Sequence, residues 1–420
     1  MIFINTKDIF RRIFIFLYSI ISIVDSLNGF ILNSTNLPLP VGQMYRGVIL
    51  IFSIFILVNF FEKKMIKLFL VLLYLIITQM IYFFIHNSIN GLLLDLTEIL
   101  KVILIILTVE TYKILNKHNI LNKADIIKIF KINLWLFPLT IIIPKILGIG
   151  FTVYGNGSGY KGFYDANNDL NIVLLVLLIF SIYYVQQKKL NPFIYGFNII
   201  LLLLVILLIG SKSSLVFSIL IFVFFIIMDK TSNIIKKIKT LLITTSLLGL
   251  TCYFLIKFYF NDLLLMFDKQ SYFFDQSIKS GNLASFLFSG RDYLLEYALN
   301  VLMNNKYNFI QLFFGIGRYY HGLLLGSVYK IQSYKIIEMD FFDTFFSYGL
   351  IGILIIYGYI INIIYKTIKN KNFNPFSLLS IIIIMIFSFL GGHVIYSGLA
   401  GSVVALVFCL MIDRNNIIKL

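Results

Sequence analysis

Six ionisable side chains, Arg291, Arg318, His321, Glu338, Asp340 and Asp343, stand between Ser289 and Gly352, the one long polar interval of a chain otherwise built of apolar runs. Together they hold the parts of a group-transfer site. Arginines can neutralise an anionic leaving group, a carboxylate near cations can take a proton from a hydroxyl, and a histidine can do so near neutral pH. Ser289 and Asp292 form a Ser-x-x-Asp start followed by Leu294, Leu295, Ala298, Val301 and Leu302 at helical spacing, so a capped helix is expected there. Arg291 then falls in its first turn, where a cation opposes the helix dipole unless an anion shares the site; the alternative is an ion pair with Asp292 or Glu296. Glu338 and Asp340 are the first candidates for the base and His321 the second. Asp343 is accounted for by the preference of acidic residues for helix starts.

A second cation site is expected at Gly210-Ser-Lys-Ser-Ser214, where free amides at a helix start and Lys212 suit a phosphate. The alternative there is a plain capped helix whose lysine reaches toward the membrane interface. Between residues 150 and 168, Lys161 adds a charge. Tyr154, Tyr160, Phe163 and Tyr164 offer flat faces for sugar rings, and Asn167 and Asn168 can both donate and accept hydrogen bonds. Gly315-Ile-Gly317 before Arg318 is not a nucleotide fingerprint, because it lacks the strand-to-helix context and the lysine of a phosphate loop. Asp95, Glu98, Lys101 and Glu110 lie in one apolar run; Glu98 and Lys101, three apart, can pair, and no catalytic role is expected of them.

The elements that must position these residues are membrane spans. Of 420 residues, 60% are hydrophobic and 13% charged, which excludes an ordinary soluble protein. The expected fold is an all-α polytopic membrane protein of about twelve transmembrane helices, with cores at 13–32, 47–61, 68–85, 96–115, 132–149, 170–185, 194–210, 214–228, 241–258, 342–365, 377–392 and 395–412. Three parts follow: spans one to nine over 1–258 with an outer loop at 150–168, a large extracytoplasmic loop containing helices over 259–341, and spans ten to twelve over 342–420. The net charge of +16 reflects topology and not nucleic acid, since the expected inner links and the termini hold 22 of the 35 Lys and Arg residues. Before Lys257 the outer links hold only Arg46, Lys145, Lys161 and Lys212. Both termini are therefore expected in the cytoplasm. The N-terminal apolar run, with no small-residue cleavage site after it, reads as an uncleaved first span. Cys252 and Cys409 lie in apolar runs, so neither a disulfide framework nor a zinc spacing is expected.

Ordered motifs give a resemblance. Gly162-Phe-Tyr164 with Asn168, Gly210-Ser-Lys-Ser213, Ser289-Gly-Arg291, Phe314-Gly-Ile-Gly317 and Gly349-Leu-Ile-Gly352 resemble, in order, the Wzy-type polysaccharide polymerase and O-antigen ligase superfamily over about 160–355. The resemblance implies a metal-free, cofactor-free glycosyltransferase of the plasma (inner) membrane that works on its outer face. It implies a glycan on undecaprenyl diphosphate as donor and a sugar hydroxyl as acceptor, with a flippase and a chain-length regulator as partners. By motif position, Lys212 and Arg291 hold the diphosphate. Ligase-like members carry a histidine where this chain has Glu338, and Glu338-Met-Asp340 is similar to an acidic pattern of the polymerases. Polymerase is thus the first expectation and ligase the second. A lipid-linked oligosaccharide flippase would hold its cations in a central cavity, and a structural subunit would leave the loop of about 80 residues without a purpose.

Overall fold

The computed structural model describes residues 6–35, 39–63, 65–153, 157, 159–228, 278, 288, 290–303, 309–328, 334–370 and 374–412. Among them the regular structure is helical, with one isolated bridge between Thr152 and Tyr160. The helices are α1 (Thr6–Ser19), α2 (Ile21–Ser34), α3 (Val41–Asn59), α4 (Met65–His86), α5 (Ile89–Lys117), α6 (Lys123–Ile146), α7 (Asn167–Gln186), α8 (Pro192–Ile209) and α9 (Lys212–Met228). Then follow α10 (Arg291–Val301), α11 (Phe309–Phe314), α12 (Arg318–Val328), α13 (Asp340–Lys369), α14 (Pro375–Leu390) and α15 (Gly398–Ile412).

Every expected span core coincides with a helix except 241–258, which lies outside the described residues. Length and apolarity alone qualify six helices to cross a membrane, α3, α4, α6, α7, α8 and α13, and a seventh if α1 and α2, bent by 47°, form one span. The expected twelve is therefore not reached among the described residues. Helix α5 is long enough, but it carries Asp95, Glu98, Lys101, Glu110, Lys113 and Lys117, while α9, α14 and α15 are short. Large apolar side chains such as Ile51, Phe84 and Phe193 stand exposed on these helices, as they do where lipid is the solvent. The protein is a multi-pass membrane protein.

The chain divides into two compact units, Met1–Tyr45, Lys123–Tyr272 and Phe373–Ile383 in the first, and Arg46–Asn122, Phe273–Asn372 and Ile384–Leu420 in the second. Within the first, α7 is the core: Leu170 to Ile182 is buried without interruption, a run apolar all round as a central helix must be. Phe130 stacks on Phe180 at 4.7 Å, with Phe376 edge-on at 6.0 Å from Phe180. Polar ties satisfy what the core buries. Arg11 donates to Asp125 at 2.7 Å, and the Asn133 amide reaches the Tyr18 carbonyl at 2.9 Å.

Within the second unit, α15 is buried from Gly398 to Met411 and packs along α5. Gly401 makes the closeness possible, because a Cβ there would already meet Ile105 at 3.2 Å. Helix α13 is broken at Gly349, whose φ of 65° and ψ of −167° are open to glycine and closed to other residues. The break receives α11. A Cβ on Gly349 would overlap the Phe313 carbonyl, and one on Gly315 would overlap the Ser347 carbonyl. Amides of Ile316 and Gly317 bond the carbonyls of Phe346 and Ser347 at 3.3 and 3.0 Å. Glycines of two separate sequence motifs thus meet as one backbone-to-backbone junction.

Candidate functional site

Helix α10 presents Arg291 from its first residue. Its apolar face, Leu294 and Ala298 one turn apart, packs with Leu325 of α12, Ile337, Met339 and Phe346 of α13. The expected capping box does not start it: the N-cap is Gly290, with no side-chain cap, and Ser289 lies outside the described residues. The partner of Arg291 is neither Asp292 nor Glu296. Its Nη2 and Nε donate to Oε2 of Glu338 at 2.8 and 3.3 Å, and its Nη1 approaches the Leu390 carbonyl at 3.5 Å. Both side chains keep access to the surroundings, at 17% for Arg291 and 40% for Glu338. Glu338 also has φ of 63°, a left-handed conformation rare outside glycine and asparagine. Its backbone sits so close to Gly392 that a Cβ on that glycine would overlap the Glu338 carbonyl.

Two residues downstream the chemistry changes. Asp340 is 1% exposed, and its two oxygens accept the amides of His393, Val394 and Ile395, each at 2.8 Å. It holds the turn before α15 closed. Asp343 accepts the amides of Ile337 at 3.1 Å and Met339 at 3.3 Å, fixing the strand of chain that carries Glu338. The expectation that Asp340 serves as a base meets a carboxylate whose lone pairs are already committed to three backbone donors.

Arg318 and His321 lie inside. Arg318, 2% exposed, stacks on Tyr396 at 4.1 Å and pairs through Nε with Glu98 at 3.3 Å. Burial opposes its charge, but Asp343 and Glu98 outweigh it and hold the guanidinium well above its ordinary pKa. Burial first and Arg318 second push the His321 imidazole down to about 3, and the ring stacks on Phe346 at 5.0 Å. A histidine so placed stays neutral and dry. Two of the carboxylates near Arg318, Glu98 and Asp95, are residues that sequence reading left without a role. Glu98 does pair with Lys101 at 2.5 Å, as expected, and Asp95 accepts the Tyr319 amide at 2.7 Å at the start of α12. Charges three apart in an apolar run were the available signal; their partner, some 220 residues away, was not.

In the first unit, Lys212 opens α9 after Gly210, the left-handed cap of α8. Ser211 caps this helix, its Oγ meeting that of Ser214 at 2.7 Å and accepting the Ser214 amide at 3.3 Å. Lys161 donates to the Asp165 carbonyl, and burial draws its pKa down. Asn168 lies in the first turn of α7. Of the expected sugar platforms, Tyr164 is buried, bonded to Thr140 at 2.8 Å and to the Ser22 carbonyl at 3.1 Å, and Tyr160 is buried and donates to the Ile149 carbonyl. Phe163 meets Phe30 and Phe151 edge-on. These rings hold the loop to its own unit; Tyr154 lies outside the described residues.

Arg291, Glu338, the glycine junction and the Asp340 turn all fall within residues 268–415, which match the family model described as O-antigen ligase like membrane protein. Over these residues the chain is similar to O-antigen ligase-like membrane proteins. No curated protein and no solved structure matches it. The O-antigen ligase-like match runs further toward the C-terminus than the motif resemblance, taking in the Gly392 turn and α15. It does not extend to Lys161, Asn168 or Lys212.

Proposed function

We propose that this O-antigen ligase-like protein is a polysaccharide polymerase that transfers a glycan from undecaprenyl diphosphate to the hydroxyl of a newly delivered repeat unit, on the outer face of the plasma membrane. The observation that carries the reading is the Arg291–Glu338 pair: a cation and a carboxylate in contact, both accessible, with the backbone on either side of Glu338 held by buried Asp343. A diphosphate arriving at Arg291 competes for the guanidinium and releases Glu338. The freed carboxylate takes the proton of the acceptor hydroxyl, the hydroxyl oxygen bonds to the anomeric carbon, and the bond from that carbon to the diphosphate oxygen breaks. The electron pair leaves with the diphosphate, whose charge Arg291 stabilises.

Strain at Glu338 supports the assignment, since a non-glycine residue held at positive φ costs on the order of 1 kcal/mol and such costs gather at functional sites. Asp340, buried and committed to three amides, and His321, buried and held neutral, serve as scaffold in this reading, and Arg318 as its internal counter-charge. Lys212 retains its expected part as a phosphate ligand on motif grounds, judged by Lys212→Ala in the same assay as Arg291→Ala. The second reading is a ligase that passes finished glycan to another acceptor; the description of the matched family favours it, and Glu338 in place of a histidine favours the polymerase.

Deleting the gene in its source organism and resolving surface glycan and lipid-linked intermediates by size decides between them. Collapse of the ladder to a single repeat is the expected outcome. Full-length glycan stranded on its lipid carrier would establish the ligase, and single repeats held in the inner leaflet would sink both enzymes in favour of a flippase.

A further inference from the structure

A cavity of about 600 Å³ opens in the second unit between the ends of α3, α4, α5 and α13, far from Glu338 along the same helices. Four lysines line it, Lys67, Lys113, Lys117 and Lys366, against one acid, Glu110. That acid is already engaged, because its Oε1 accepts Lys113 at 2.6 Å and the Tyr359 hydroxyl at 2.8 Å. Lys117 pairs at 2.6 Å with Glu62. Lys67 and Lys366 have no side-chain partner among the described residues. Lysines near the C-terminal ends of α5 and α13 suit the helix dipoles, but Lys67 sits in the first turn of α4, where a cation is unfavourable unless an anion shares the site.

Depth and lining identify the anion. From Asp95 to Lys113 the path along α5 is about 27 Å at 1.5 Å per residue, close to the thickness of a bilayer core, a separation that suits lysines at one membrane interface. Beyond them the cavity wall turns apolar, with Val71, Ile106, Leu354 and Ile355. Leu354 is 72% exposed and faces the surroundings. Charge at an interface continuing into an apolar groove fits a phosphate head group with its acyl chain and does not fit a soluble anion.

We propose that this cavity binds an anionic phospholipid, its phosphate held by Lys67, Lys113 and Lys366 and a chain laid along α13 at Leu354. The site stands apart from the reaction proposed above and holds whichever transferase reading is correct. Native mass spectrometry of the purified full-length protein, titrated with phosphatidylglycerol, phosphatidylcholine or inorganic phosphate, tests it. One phosphatidylglycerol should bind in preference to phosphatidylcholine, and inorganic phosphate should not displace it. Binding to the Lys67→Gln/Lys366→Gln variant should be about thirtyfold weaker, which corresponds to ~1 kcal/mol for each lysine near a charged surface. Both side chains are exposed, so the variant should fold, and Lys67→Arg/Lys366→Arg should retain the lipid. Equal binding by the glutamine variant, equal binding of phosphatidylcholine, or displacement by inorganic phosphate would each overturn the proposal.

Discussion

Two carboxylates two residues apart illustrate how little residue type says about role. Glu338 is accessible and faces one arginine, whereas Asp340 is sealed against three backbone amides. Mutation should separate them. Glu338→Gln is expected to abolish polymer in a complementation assay while leaving thermal stability within about 0.5 kcal/mol, because the site is open and the replacement isosteric. Asp340→Ala should instead lower stability by several kcal/mol, since it leaves three buried amides without an acceptor at roughly 1–3 kcal/mol each. A stable, inactive Asp340→Ala protein would reverse the two assignments. Arg291→Lys should impair activity, because one ammonium cannot make the two-pronged contact a guanidinium makes to phosphate.

His321 carries a pH signature. Its imidazole titrates at about 3 in the folded protein and near 6.5 when unfolded, so the unfolded chain binds the extra proton first. Stability is therefore intact above pH 6.5 and falls as pH drops from there toward 3, with a slope of at most about 1.4 kcal/mol per pH unit for one proton. In detergent, the acid-side fall in melting temperature should be shallower for His321→Phe than for the parent. An identical slope would mean that His321 is not buried neutral.

At the scale of elements, the junction between α11 and the break in α13 anchors the first turns of α13, the helix that begins two residues after Glu338. Gly315→Ala and Gly349→Ala each force a methyl into facing backbone at positive φ and should cost more than about 1 kcal/mol each. Gly358→Ala is the control: it lies in the same helix with nothing within 4 Å of the added Cβ, and it should gain up to ~1 kcal/mol from helix propensity. Melting of the three variants checks the order. The helix starts at Lys212 and Arg291 were legible from apolar spacing, although the cap expected at Ser289 is not the one that starts the second, whose N-cap is Gly290. The glycine motifs were legible as a family pattern, but their reason, a mutual approach of two backbones some 34 residues apart, was not.

For the whole molecule, the lysine distribution predicts that both termini and the 62–67, 113–131 and 366–371 links lie in the cytoplasm and the 259–341 segment outside. Reporter fusions after residues 117 and 300 should report cytoplasmic and external locations respectively; the reverse pattern would put the proposed reaction in the wrong compartment. The lipid cavity, lined by Lys113, Lys117 and Lys366, would then face the inner leaflet.

Hydropathy alone determined that this chain is helical and membrane-embedded, because a lipid solvent demands long apolar runs and satisfies their backbone only within helices. Sequence also located the polar interval that matters. Tertiary structure decided which of its charges remain available. Arg318 and His321 read as exposed loop residues and proved internal, since Glu98, Asp95 and Tyr396, which enclose them, come from helices distant in sequence. Tyr160 and Tyr164 read as sugar platforms and proved to be loop anchors for the same cause. Availability depends on what packs against a side chain, and packing is a property of pairs of segments that no local pattern encodes.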